Sequence, residues 1–298
     1  MPDDEHPAPA TARERELEQE VERLKEEVLR LRGVLASHCD TVLDMLKRRG
    51  FTLHKKERDW DLVLPDAESG FPADEYYRLM NRYSFRLFVR DVITHQDGFI
   101  PEGLVRFSGI ETVTEYTEFL LRAGILETAP GGVFRMRRRP VRSFGPTLEW
   151  YVAEVLRREY AADALWGASF KGNGAGGDYD VLASFEGRLL YAEVKSSPPK
   201  QIYDTEVRAY IERFMELSPD VSLFVMDTEL RMKDKVVFLF EQVMPDTKLA
   251  GMTVERLEAE LFHIGGRIFI VNSKGGLAAN IGTAIGAYLK RSQHDRRH

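Results

Sequence analysis

One stretch constrains the rest of the chain more than any other: Gly176 to Lys195, GGDYDVLASFEGRLLYAEVK. Two apolar runs with β-branched and aromatic content flank Glu186-Gly187, so the segment reads as a β-hairpin with a two-residue turn. With that turn Phe185 faces Arg188, and counting outward sets Asp180 opposite Glu193 and Asp178 opposite Lys195. Side chains alternate between the two faces of a strand, so all four charged groups emerge on one side. Carboxylates directly opposite one another, their Cβ atoms roughly 5 Å apart, repel. A divalent cation would hold them.

With 298 residues, 43% of them apolar and 10% aromatic, the chain has enough material for a sizeable core and about two domains. The net charge of -6 excludes a general basic coat, so any contact with nucleic acid is local. The single cysteine, Cys39, rules out an intrachain disulfide and fits a reducing, cytoplasmic setting. The acidic, Pro-rich opening MPDDEHPAPA is unlike a signal peptide. No apolar run approaches the roughly 20 residues that span a bilayer, so no membrane partner is expected.

Residues 1–11 are expected to be disordered, and 12–48 to form a coiled coil. Leu17, Val21, Leu24, Val28, Leu31 and Leu35 recur at alternating spacings of four and three, with Val at one core position and Leu at the other. That choice favours a parallel homodimer over a single helix packed on its own domain. The apolar pattern resumes through Val42, Leu43 and Leu46 before breaking at Arg48-Arg49-Gly50.

Within 49–144 a loop over 64–72 precedes a helix that starts near Asp74 and carries Tyr77, Met80, Phe85, Phe88, Val89 and Val92 inward. A short helix from Pro101 to Phe107, a longer one from Thr112 to Ala123, and two strands around Pro130-Gly131-Gly132 follow. This order resembles a winged helix-turn-helix domain over 75–142. Arg135, Arg137, Arg138, Arg139 and Arg142 form a basic run where a wing would meet phosphates, the alternative being a solvated or interdomain role. Glu111, Glu115 and Glu118 on the helix that would enter the groove argue against reading of base sequence.

From Gly145 a helix runs to Tyr160 with Leu148, Val152, Val155 and Leu156 on its apolar face. Glu149 sits in its first turn, where the helix dipole favours an acid. KGNGAGG at 171–177 lacks the Gly-Lys-Ser/Thr ending of a P-loop and leads into a strand, which excludes nucleotide hydrolysis of that type. Downstream come a helix over 202–217, a buried strand at 221–227, a helix over 233–243, a hairpin around Gly265-Gly266, a last helix over 277–289 and a loose tail, 293–298. His263 is expected to be a structural histidine, and no His/Cys cluster suits zinc.

A helix bearing Glu149, a glycine loop, Asp180 heading the apolar strand YDVLA, and Glu193-Val194-Lys195 closing LLYAEVK together resemble the core of the PD-(D/E)XK nuclease superfamily, which includes restriction endonucleases and Holliday junction resolvases. The likeness covers about half the chain, 145–290. It departs in having Tyr179, not proline, before Asp180, with Asp178 as a rival ligand. The resemblance implies an α/β fold: a restriction endonuclease-like mixed-sheet core with helices on both faces over 145–292. It implies that Asp180, Glu193 and the Val194 carbonyl, with waters, hold Mg²⁺ or Mn²⁺. Lys195 would then position or deprotonate the attacking water, or stabilise charge on the phosphorane-like transition state. Glu149 would complete the site, with Gln201 as an auxiliary that could instead cap the next helix.

The expected activity is metal-dependent phosphodiester hydrolysis, in DNA before RNA, without a covalent intermediate. A DNA-binding scaffold that keeps the fold but not the activity is the alternative. A solvated cross-strand ion pair would also account for Glu193 and Lys195 alone.

Overall fold

The computed structural model describes residues 19–28, 41–55, 61–66, 71–171 and 178–295, with Arg13, Leu17 and Arg30 besides. The expected disorder of 1–11, the seam positions Leu31 and Leu35, Cys39, most of the glycine loop (172–177) and the end of the tail (296–298) lie outside these residues.

Helix α1 spans residues 19–28 and leaves its seam open: Leu17, Val21, Leu24 and Val28 are 58%, 49%, 52% and 45% exposed. The apolar pattern at 42–46 does not extend that seam. Thr41, in extended backbone, accepts a hydrogen bond from the Asp44 N–H, and Asp44 reaches back to the Thr41 N–H. This capping box starts a separate helix, α2 (Val42–Arg48). The Val42 N–H donates to Asp163 at 2.7 Å, and Val42, Met45 and Leu46 are buried against the sheet while Leu43 faces outward.

Strand β1 (Thr52–Lys55) comes next, then α3 (Ala73–Met80) and α4 (Tyr83–Thr94). The single helix expected from Asp74 to Val92 is therefore two, because Arg82 adopts extended backbone between them. The Met80 carbonyl, left free at the break, accepts from Arg86, and the Asn81 side chain beside it accepts from the Tyr151 hydroxyl. A 3₁₀ turn, Pro101–Leu104, leads to α5 (Ile110–Arg122) and the hairpin β2 (Leu126–Ala129) and β3 (Val133–Met136). Phe99 bridges to Phe134 on that hairpin.

The remaining elements are α6 (Gly145–Tyr160), β4 (Asp163–Lys171), β5 (Tyr179–Phe185), β6 (Arg188–Lys195), α7 (Asp204–Leu217), β7 (Val221–Met226), α8 (Phe238–Val243), β8 (Val254–Glu258), β9 (Leu261–Ile264), β10 (Ile268–Asn272) and α9 (Leu277–Asp295). Eight strands make one mixed sheet in the order β1-β4-β5-β6-β7-β10-β9-β8. β6, β7 and β10 run parallel and the outer pairs antiparallel. β7 and β10 are buried along their whole length, as their unbroken apolar runs require of strands covered on both faces.

One sheet face packs on α6, α9 and the helices of 73–122, whose Phe85, Val89 and Leu120 join Val181, Ala192 and Leu223 in a continuous core. The other face carries α2, α7 and α8. The helical segment before Gly145 thus shares its hydrophobic core with the sheet, and β1 from that segment forms the sheet's edge beside β4. The architecture is α/β. Among the described residues no helix is long and apolar enough to cross a membrane.

Candidate active site

The hairpin that carries the charged residues has the register counted from its turn: Phe185 pairs with Arg188 and Val181 with Ala192. Glu186 and Gly187 both take positive φ, 47° and 70°, which a two-residue turn matched to strand twist demands. Beyond the last pair the strands carry Asp180 and Glu193, and the Val194 N–H donates to Asp180 Oδ2 at 2.7 Å. The hairpin therefore brings Asp180, Glu193 and Lys195 to one end of the sheet.

The two carboxylates meet different surroundings. Glu193 is 1% exposed. Its Oε1 accepts from Lys195 Nζ at 2.8 Å and from Arg213 Nη2 at 2.7 Å, while its Oε2 accepts from the Tyr191 hydroxyl. Arg213 Nε also donates to that hydroxyl at 2.9 Å, closing a ring of three side chains. Burial alone would raise the Glu193 pKa, but the two adjacent cations hold it below the ordinary glutamate value.

Asp180 is pushed well above the usual aspartate value by burial first, then by the charges of Glu193 and Glu149, with Lys195 and the Val194 N–H only partly offsetting them. Lys195 lies between. Burial works against its charge, but Glu193 and Asp180 outweigh this and raise its pKa, and Glu206 adds a second ion pair at 3.5 Å.

Glu149 is half-buried and is the fifth residue of α6, one step past the first turn expected for it; it joins Asp180 and Asp178 in lining a cleft of about 220 Å³ walled by Pro146, Trp166 and Gly167. Gly167 has φ of 57° inside β4, a conformation open to glycine without strain, and it leaves this wall free of a side chain. Asp178, expected opposite Lys195, instead stands on the cleft wall beside Glu149, while Lys195 pairs with Glu193 and Glu206. Gln201 is exposed in the 3₁₀ turn Pro199–Gln201, and its side chain bonds to none of the described site residues. It does not cap α7 either, since Tyr203 and Glu206 form that cap.

Sequence reasoning misses Tyr191 and Arg213. Tyr191 had a local signal, because it stands two residues before Glu193 on the same strand face. Arg213 had only the hint of a cation between the inward residues Tyr210 and Phe214 of α7.

Among the described residues no group of three or more His, Cys, Asp or Glu side chains is gathered as a ready-made metal cage. Mg²⁺ needs less than that, taking one or two carboxylates and keeping most of its waters. Asp180 and Glu149 on the cleft, with negative charge only partly offset at Asp180, fit such an ion. Glu193, expected as the second ligand, is already held by two cations and a hydroxyl.

The basic run after the hairpin is largely paired with acids. Arg135 bonds Glu127 at 2.6 Å; Arg137 and Arg138 face Asp66 at 3.5 and 4.0 Å; Arg139 lies 3.8 Å from Asp97 and 3.9 Å from Glu127. The Arg142 backbone N–H donates to Asp61. Asp61 and Asp66 come from a segment far earlier in the chain, so the pairing was invisible to a reading of the run itself.

No family model matches the chain, and no curated protein matches it. Among solved structures it is similar to Can2 from Sulfobacillus thermosulfidooxidans in complex with cyclic tetra-adenylate, at 13% identity and a TM-score of 0.42, over 83% of this chain and 60% of that one. It is also similar to protein VC1899 from Vibrio cholerae, at 14% identity and a TM-score of 0.43, over 69% of this chain and 56% of that one. The chain thus spans less than two thirds of either, and both are loose likenesses in the path of the backbone.

Proposed function

We propose that the chain is a metal-dependent phosphodiesterase of the PD-(D/E)XK type that cuts nucleic acid, DNA before RNA. The observation that carries this reading is the convergence of Asp180, Glu193 and Lys195 where β5 begins and β6 ends, with Glu149 close enough on α6 to perturb Asp180. The succession α6, three antiparallel strands β4–β6, α7 and a parallel β7 agrees with the core of that superfamily.

Asp180 and Glu149 are the residues that would hold Mg²⁺ or Mn²⁺, beside the Val194 main chain. Bound there, the ion would neutralise the scissile phosphate and acidify a water. The protein's own contribution is electrostatic. Lys195, kept charged by Glu193 and Asp180, is suited to stabilising the developing negative charge and not to removing a proton from water. Glu193, Arg213 and Tyr191 fix the direction of that ammonium. The exposed side chains of Arg137 and Arg138 pair only loosely with Asp66, and phosphate competes readily with surface pairs of this kind. The open Leu/Val seam of α1 supports a homodimer, which would set two sites on one substrate.

The saturation of Glu193 favours a second reading, a nucleic-acid-binding scaffold that keeps the fold without the activity. Incubation of the purified chain with plasmid and with RNA, with Mg²⁺, Mn²⁺ or EDTA, separates the two. The nuclease reading expects cleavage that needs the metal and falls at least about 100-fold in Asp180→Ala and Lys195→Ala. Intact substrates, or variants as active as the wild type, exclude it.

A further inference from the structure

The far end of β6 holds a second charged site. Lys195 closes this strand and Arg188 opens it, so at about 3.3 Å per residue the two lie roughly 23 Å apart. Around Arg188 a cleft of about 460 Å³ opens between the Glu186-Gly187 turn, the Gly265-Gly266 turn and α9. Three arginines line it, Arg188, Arg267 and Arg291, together with Tyr288.

Two acids share this lining, but both are engaged. Asp220 accepts from the Leu189 N–H at 2.8 Å and faces Arg49 at 3.7 Å. Glu186 bonds Arg188 Nη1 at 2.9 Å. Arg267 is tethered by backbone, not by a carboxylate: Nη2 donates to the Pro219 carbonyl at 2.6 Å and Nε to that of Asp220 at 3.3 Å. Its charge is therefore oriented without being neutralised. Arg291, exposed on α9, lies across Gly266 so closely that a Cβ there would come within 2.5 Å of Arg291 Cδ. Gly266, at φ +66°, serves both the turn and the seat of this side chain.

We propose that this cleft binds a phosphorylated small molecule, inorganic diphosphate or a mononucleotide, through its phosphate groups. A planar guanidinium presents paired N–H donors that match phosphate oxygens, and three of them on one cleft exceed the charge that the two acids remove. The volume falls within the range of small-molecule sites. The tethering of Arg267 lowers the ordering cost of binding, since part of the anion's cradle is in place beforehand.

The test is calorimetric titration of the full chain, without divalent metal, by inorganic pyrophosphate, by ATP and by a ten-nucleotide single-stranded DNA. Pyrophosphate or ATP should bind one per chain. Arg291→Gln, a change at an exposed side chain, and Arg188→Gln should each weaken binding at least tenfold, whereas Asp180→Ala should leave it unchanged. Far-UV circular dichroism checks that each variant is folded, and Arg291→Gln decides if Arg188→Gln is not. Millimolar ligand without heat, equal affinity in Arg291→Gln, loss in Asp180→Ala, or binding of the oligonucleotide alone would each overturn the proposal. None of these outcomes bears on whether the Asp180 site cuts nucleic acid.

Discussion

Replacing Asp227 with asparagine strikes the most deeply set ion cluster among the described residues. Asp227 Oδ1 accepts from Arg86 Nε and Nη2 at 3.0 and 2.9 Å and from the Ser273 hydroxyl at 2.7 Å, and Oδ2 accepts from Arg90 at 2.5 Å. The side chains of Arg86 and Asp227 are both 0% exposed. Arg86 belongs to α4 and Asp227 follows β7, so the cluster ties the helical segment to the sheet. It also borders the candidate site, because the Asp227 N–H donates to the Lys195 carbonyl at 2.9 Å.

Asparagine keeps the shape but leaves a buried guanidinium without its counter-charge, a loss of about 3–5 kcal/mol where the total stability of a folded chain is about 5–15 kcal/mol. At about 3 kcal/mol per molar of urea, the unfolding midpoint should fall by more than about 1 M. Adding Arg86→Met should recover part of the loss, since an apolar pair of similar volume carries no buried charge.

The pH dependence follows from the sign of the shift. Burial would raise the Asp227 pKa, but Arg86 and Arg90 hold it below the ordinary value. The stabilisation is therefore complete above the unfolded value near about 4 and is lost as pH falls through the lower folded value. The gap between wild type and Asp227→Asn should narrow below about pH 4. A loss under about 1 kcal/mol at pH 7, or a gap that does not vary with pH, would refute a charged and paired Asp227.

Asp180 should behave in the opposite sense. Its folded pKa is raised, so stability declines as pH rises from the unfolded value near about 4 to the folded one, and Asp180→Asn should stabilise the metal-free chain at neutral pH. Thermal unfolding in EDTA should show a midpoint higher by a few degrees, with the advantage shrinking in Mg²⁺; a lower midpoint in EDTA would contradict the charge crowding at the cleft. Leu24→Glu, in the middle of the α1 seam, should convert a dimer to a monomer by light scattering, and a wild type that is already monomeric would rule out pairing through that seam.

What the sequence disclosed is what local periodicity carries. The hairpin at 179–195 was legible because its alternation, its Glu-Gly turn and its charges all report one register. β7 and β10 were legible as unbroken apolar runs. The parts that stayed hidden depend on distant partners. β1 is four residues, TLHK, whose pairing is set by β4 more than a hundred positions away, and β8, VERLE, lies at the opposite edge with all three of its charges exposed. The break at Asn81–Arg82 is supported by Arg86, which takes up the Met80 carbonyl, and by Tyr151, which bonds the Asn81 side chain. The helix at 42–48 continued a coiled-coil pattern in sequence, but a Thr41 cap and the sheet face beneath it decided otherwise.

The same distinction governs the site. Counting along the hairpin makes Asp180 and Glu193 equivalent, two carboxylates facing each other with one lysine nearby. Arg213 removes the equivalence, and it comes from a helix that the count does not reach. Glu193, supplied with two cations and a hydroxyl, stays ionised and serves to aim Lys195; Asp180, crowded by Glu193 and Glu149 beside a cleft, favours whatever positive charge enters that cleft. Two like groups whose environments drive their proton affinities apart can take unlike tasks. A proton and a divalent cation therefore compete for the same oxygens of Asp180, and metal loading should release protons as pH is lowered toward the raised Asp180 value.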